Sequence, residues 1–117
     1  MRHYTVVAIT PTSTSWIPGY LEKVGSLVAR HGGRYLARTA RHERIEGEGE
    51  VPAVYTIVQW PSRDAANAFY DDPEYVPHRE ARRAGATATY TNIEGVDDFD
   101  VERIDASPRA DAPAAAD

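Results

Sequence analysis

The chain contains no cysteine in 117 residues. Disulfides and thiolate metal sites are therefore excluded as sources of stability, in keeping with a reducing compartment. It also lacks an apolar run of membrane-spanning length: the opening MRHYTVVAITPT has a basic start but only a short apolar stretch before Thr10-Pro11. A soluble, cytoplasmic protein with no membrane partner is expected. A basic stripe is missing too. The formal net charge of −5 is concentrated at one end, where residues 94–117 hold eight acids against Arg103 and Arg109, and the remainder is near neutral. Without a row of bases to neutralise phosphates, nucleic acid is not an expected partner. There is no glycine-rich phosphate loop, no GxSxG elbow and no HExxH, and His3, His31, His42 and His78 show no metal spacing. Neither a cofactor nor a metal is expected, and the chain is too small for a flavin or nicotinamide fold.

What is present is organised around Ala53 to Tyr75, AVYTIVQWPSRDAANAFYDDPEY. Val54, Tyr55, Ile57, Val58 and Trp60 form a strand apolar at both parities, which needs cover on both faces. His3 to Thr10 is a first strand of the same kind. Ser15 is a candidate N-cap that places Pro18 in the first turn of a helix whose apolar stripe runs Ile17, Tyr20, Leu21, Val24, Leu27, Val28. His31-Gly32-Gly33 ends it, with Gly32 the natural left-handed cap. Arg34 to Ala40 reads as an outer strand that can continue toward Ile45, and Glu46 to Pro52 as a solvated hairpin turn. Ser62 caps the next helix, whose stripe is Ala65, Ala66, Phe69 and Tyr70. Asp72-Pro73 is expected to break and restart it, with Asp72 as cap and Pro73 at the first helical position. Thr87 to Glu94 is the fourth strand.

This order predicts an α+β, ferredoxin-like βαββαβ domain over residues 1–97: a four-stranded antiparallel sheet with two helices on one face. Residues 98–117, alanine, proline and acid with no face to bury, are expected to be a flexible tail. Two helices cover one sheet face only, and the opposite parities of the first and third strands are also apolar. A homodimer joined through its sheet faces follows, burying about 1,600 Å² or more.

HGGRYLAR (His31 to Arg38), Glu46-Gly47, QWPSRDAANAFYDDPEY (Gln59 to Tyr75), Arg82 and IEG (Ile93 to Gly95) resemble the small bacterial family known as domain of unknown function 1330, over about residues 3–96. That family is similar to the dimeric α/β barrel superfamily, which includes cofactor-independent monooxygenases, dehalogenases, muconolactone isomerases and polyketide cyclases. The resemblance implies paired ferredoxin-like protomers, each with a cavity between helices and sheet. The acidic tail and Trp16-Ile17-Pro18-Gly19 at the entry to the first helix depart from the family pattern.

With a cavity in that place, the candidate catalytic residues are His78 and Arg82, and the candidate substrate-binding residues are Tyr20, His31, Arg34, Trp60, Tyr70 and Tyr75. Arginine and tyrosine donors would stabilise a developing oxyanion on a planar or enolisable molecule while histidine moves the proton. Each residue also has a structural explanation. His31 suits a helix C-terminus, Tyr70 and Tyr75 suit a core, Trp60 suits a cavity or dimer wall, and Arg34 reaches solvent or a partner. Arg82 would serve equally in an ion pair with Glu46 or Glu94. His78 lies three residues after Tyr75 and four before Arg82, so all three can share a helix face. Two functions therefore stand side by side. One is a homodimeric protein that binds a small apolar or aromatic organic molecule and isomerises, cyclises or oxidises it without a cofactor; the other is a non-catalytic dimeric binding module. A haem-degrading role fits less well, since no histidine is placed to hold iron.

Overall fold

The computed structural model describes residues 2–99. The tail expected from residue 98 lies outside the described residues except for Asp98 and Phe99. Four strands, β1 (His3–Pro11), β2 (Arg34–Thr39), β3 (Val54–Trp60) and β4 (Ala86–Glu94), form one antiparallel sheet in the order β2-β3-β1-β4. The two strands that are apolar at both parities take the centre. Strands of mixed or threonine-rich sequence take the edges, where one backbone side meets water.

The helices are α1 (Ile17–Arg30), α2 (Arg63–Tyr70) and α3 (Val76–Gly85), so the element order is βαββααβ, with three helices where two were expected. They share one sheet face. There Val58 and Trp60 of β3 meet Val24, Leu27 and Val28 of α1, Ala66 and Phe69 of α2, and Tyr75 just before α3. Ser62 caps α2 as expected, its hydroxyl accepting from the Ala65 N–H at 3.1 Å. The restart comes later than Pro73. Asp72 instead forms a turn, Oδ1 accepting from the Glu74 N–H at 2.9 Å and its carbonyl from the N–H groups of Tyr75 (2.8 Å) and Val76 (3.0 Å). Pro77 then occupies the first turn of α3, where a missing N–H costs little. The other carboxylate oxygen of Asp72 lies 2.7 Å from both His31 Nε2 and Arg30 Nη2, clamping this link to the end of α1.

The start of α1 also departs from expectation. Trp16, not Ser15, holds the N-cap position and makes no side-chain cap bond. Its indole N–H donates instead to the carbonyls of Ser13 (2.9 Å) and Gly85 (3.0 Å), joining the entry of α1 to the end of α3. The other end follows the sequence: Gly32 has φ +79°, and the N–H groups of Gly32 and Gly33 return to the carbonyls of Ala29 and Val28 at 2.9 Å each. β2 stops at Thr39 and does not continue toward Ile45. Residues 40–53 form no regular element, and Arg44 donates across the loop to the carbonyl of Gly49 at 3.0 Å.

Among the described residues, no helix covers the second sheet face. Tyr4, Val6 and Ala8 of β1 lie there, beside Gln59, Ile57 and Tyr55 of β3 and Ile93, Thr91 and Thr89 of β4. The apolar parity seen in the sequence is thus on the uncovered side.

Two outcomes test this packing. A Cβ on Gly33 would stand 2.6 Å from Trp60 Cζ3 and 2.8 Å from Val28 Cγ1. Gly33→Ala is expected to lower the unfolding free energy by about 1–3 kcal/mol, seen as a reduced urea midpoint at unchanged slope. Hydrogen bonds first from His31 and then from Arg30 hold the Asp72 carboxyl well below the usual carboxylate range. Since the folded state lowers this pKa, its stabilisation is complete above about pH 4 and is lost as pH falls through the depressed value. Asp72→Asn should therefore melt below wild type at neutral pH, with the gap narrowing in acid; a gap independent of pH would contradict the clamp.

Candidate functional site: a cationic, aromatic cavity

A cavity of about 460 Å³ lies between the helices and the covered sheet face. Alternation along the central strands sends Thr5, Val7 and Ile9 of β1 and Thr56, Val58 and Trp60 of β3 into its floor. The helical stripe of α1 contributes Ile17, Tyr20, Leu21, Val24 and Val28. Phe69, Tyr75, Arg82 and Tyr90 form the far wall, and Tyr35 and Arg38 come from β2. None of the lining residues is an aspartate, glutamate, histidine or lysine. The two arginines are the lining's formal charges.

Arg82 is the unusual member. It is 4% exposed, its Nε and Nη2 are buried without a hydrogen-bond partner, and among the described residues no carboxylate lies within ion-pair distance. The ion pair with Glu46 or Glu94 is thus not formed. The Tyr90 ring, centred 5.3 Å from the guanidinium carbon, is its cation–π neighbour. Burial works against its charge, but the nearby hydroxyls of Tyr75 and Tyr20 outweigh burial and raise its pKa above the ordinary value.

The Tyr20 and Tyr75 hydroxyls are 3.0 Å apart, so one hydrogen bridges them and the other is left to donate elsewhere. Burial, with Tyr75 second, pushes the Tyr20 phenol well above its usual pKa. Tyr90 and Tyr35 are also raised, chiefly by burial. Trp60 Nε1 donates to Thr5 Oγ1 at 2.8 Å, and Thr5 donates to Asn92 Oδ1 at 2.6 Å, so these floor groups are already satisfied.

Of the eight residues singled out from sequence, Tyr20, Trp60, Tyr75 and Arg82 meet in this cavity. The other four lie elsewhere. His31 caps α1 and binds Asp72. Tyr70 packs its ring on Tyr90 at 5.1 Å, with the Arg79 guanidinium carbon 4.7 Å from its centroid, and lines a smaller pocket of about 190 Å³ behind Arg82. His78 sets its ring edge-on to Tyr20, centroids 6.5 Å apart. Two full turns separate Tyr75 from Arg82 and align them, whereas His78 falls about 60° to one side of Tyr75. Arg34 pairs with Gln59 and so lies on the uncovered face.

Arg38, Tyr35 and Tyr90 line the cavity without having been candidates. For Arg38 the cause is a register shift between Tyr35 and Ala37: Arg34 stands opposite Gln59 but Arg38 opposite Thr56, so the two arginines, four residues apart, point to opposite faces. Its guanidinium carbon sits 4.0 Å from the Tyr35 ring centroid, at the exposed rim. Tyr90 was legible as the lone aromatic of TATYTNIE, at the parity that pairs with Val7. Among the described residues, no three acidic or histidine side chains converge to hold a metal ion, and no helix is long and apolar enough to cross a membrane.

The same ferredoxin-like arrangement occurs in solved structures. A protein of unknown function from Rhodopseudomonas palustris matches with a TM-score of 0.69 at 15% identity, over 83% of this chain and 84% of that one. A dimeric ferredoxin-like protein of unknown function from Jannaschia sp. CCS1 gives 0.66 at 12% identity, over 80% and 99%. SnoaB, a cofactor-independent oxygenase from Streptomyces nogalater, gives 0.56 at 19% identity, over 84% and 96%. These identities establish likeness of fold alone. No protein of curated function matches the chain. The model of the family described as a domain of unknown function (DUF1330) matches residues 2–96, and the chain belongs to that family.

Proposed function

We propose that this protein is a homodimer that binds, in each protomer, a small and mostly apolar or aromatic organic molecule bearing an acidic oxygen. The observation that carries this reading is Arg82: a buried guanidinium with two unpartnered nitrogens, no counter-ion among the described residues, and a place in the wall of an aromatic cavity. Buried guanidinium N–H groups left without an acceptor are costly, and an anionic ligand is the partner that would offset the cost. The aromatic walls supply the apolar contact, and Arg82, Tyr20, Tyr75 and Trp60 are assigned as the ligand's neighbours.

A catalytic role is the second reading. An arginine beside a hydroxyl pair is suited to stabilising an oxyanion, and SnoaB, of similar fold, is a cofactor-independent oxygenase. An isomerase, cyclase or oxygenase type of reaction would use the same groups. The alternative, a dimeric module with no catalysis, uses the cavity only to hold its ligand. The dimer is supported by the uncovered apolar face and by the dimeric neighbour from Jannaschia.

Arg82→Met separates a ligand site from a structural brace. It should raise the stability of the ligand-free protein by about 1–4 kcal/mol in chemical denaturation, because a buried guanidinium with two unsatisfied nitrogens is replaced by an apolar chain. It should also lack the rise in melting temperature expected of wild type with aromatic acids and phenols. Loss of stability in the variant would identify Arg82 as a brace and remove the main support for a ligand. For the dimer, small-angle scattering at micromolar concentration should give twice the chain mass for wild type and a single chain for Val6→Lys. A monomeric wild type would refute it.

A further inference from the structure

The cavity can donate protons at several points but has nowhere to put one. Among the described residues, histidine, aspartate, glutamate and lysine are all missing from its lining, and the chain has no cysteine. Guanidinium groups cannot accept a proton at any ordinary pH. The lining phenols of Tyr20, Tyr35 and Tyr90 are held above their usual pKa by burial, so they remain protonated at neutral pH. The indoles are already committed, Trp16 to two carbonyls and Trp60 to Thr5. What remains unspent is the two nitrogens of Arg82 and one hydrogen of the Tyr20–Tyr75 pair.

The groups around Arg82 add no negative charge. α1 presents Tyr20, α2 presents Tyr70, Tyr75 precedes α3, and β4 presents Tyr90. On its own helix, Arg79 pairs with Asp71 and Glu80, Arg83 pairs with Glu80, and His78 lies against the Tyr20 ring outside the cavity. Burial outweighs Arg82 for the lining phenols, which keep their protons. But an acidic ligand whose oxygen reaches the two unpartnered guanidinium nitrogens meets donors that those phenols do not use, and among the described residues no base.

We propose that the cavity takes its ligand as a ready-made anion, a phenolate or enolate whose acidity is strengthened by binding beside Arg82, with the proton released to solvent and not to a side chain. This rests on the reading of the cavity as a ligand site. The O–H bond of the ligand breaks, water or buffer takes the proton, and the oxygen's electron pair faces the guanidinium; no bond to the protein forms. A delocalised anion is preferred over a compact carboxylate, because an apolar aromatic cavity returns little of the hydration that a concentrated charge gives up. The two arginines favour the charge while the rings of Trp60, Phe69 and Tyr75 suit the planar body that carries it.

The test is a spectrophotometric titration of 4-nitrophenol, coloured only as its phenolate, with the protein in excess, alongside calorimetry with its non-ionisable methyl ether, 4-nitroanisole. Binding ten times tighter to the anion than to the neutral form lowers the bound phenol's pKa by about one unit. Wild type is expected to lower it by about that much and to bind the phenol in preference to the ether, and Arg82→Met is expected to lose the shift. If wild type binds both molecules equally and the phenol's pKa stays put or rises, the anion proposal is overturned while the ligand site stands. If neither molecule binds, the anion proposal and the ligand site fail together. The wild-type titration decides by itself should the variant misfold.

Discussion

The structure depends on two strands that are apolar on both sides. β1 and β3 pair at the centre of the sheet with every parity carrying valine, isoleucine, alanine or an aromatic. Helices can bury one side of such a pair, and here α1, α2 and α3 do so through Val24, Val28, Phe69 and Tyr75. Helix axes stand well off a sheet, and wherever large side chains do not fill the space a hollow remains. In this chain the hollow is the cavity, and its floor is the helix-facing parity of the same two strands. Core and site are one layer, which is why Trp60 serves both.

Within that layer one buried charge stands apart. Arg82 is as buried as the aliphatic residues around it, but unlike the partly exposed Arg79 one turn earlier it has no carboxylate partner. The contrast is informative because both arginines lie on α3 next to Tyr70. Arg79 is satisfied by the Tyr70 carbonyl at 2.8 Å and by surface acids, as expected for a side chain whose work is structural. Arg82 is surrounded by phenols, which moderate its field without neutralising it.

Much of this was legible in the residues. The two-sided apolar strands, the Ser62 cap and the left-handed Gly32 all follow from local rules and appear as read. Tyr20, from the stripe of α1, and Tyr75 and Arg82, two turns apart at α3, all line the cavity. The parts that were not legible depend on contacts distant in sequence. Asp72 reads as a helix cap, yet its carboxyl is taken by Arg30 and His31, forty residues earlier, and the helix starts late. Ser15 reads as a cap, yet the Trp16 indole finds the Gly85 carbonyl instead. Arg34 and Arg38 share a parity in the sequence, and only the shifted pairing of β2 with β3 sends them to different faces.

That irregularity in β2 has a wider implication. Because the extra residue at Leu36 decides which arginine looks inward, a β2 that paired without the bulge at unchanged length, Leu36 opposite Ile57, would exchange the cavity's rim cation for the Ala37 methyl group and turn Arg38 toward the bare face. An edge strand such as β2 tolerates such a change of register more readily than a central one, since only one neighbour must realign. The rim of the cavity is thus set by strand register alone, with the aromatic walls and the buried guanidinium left untouched.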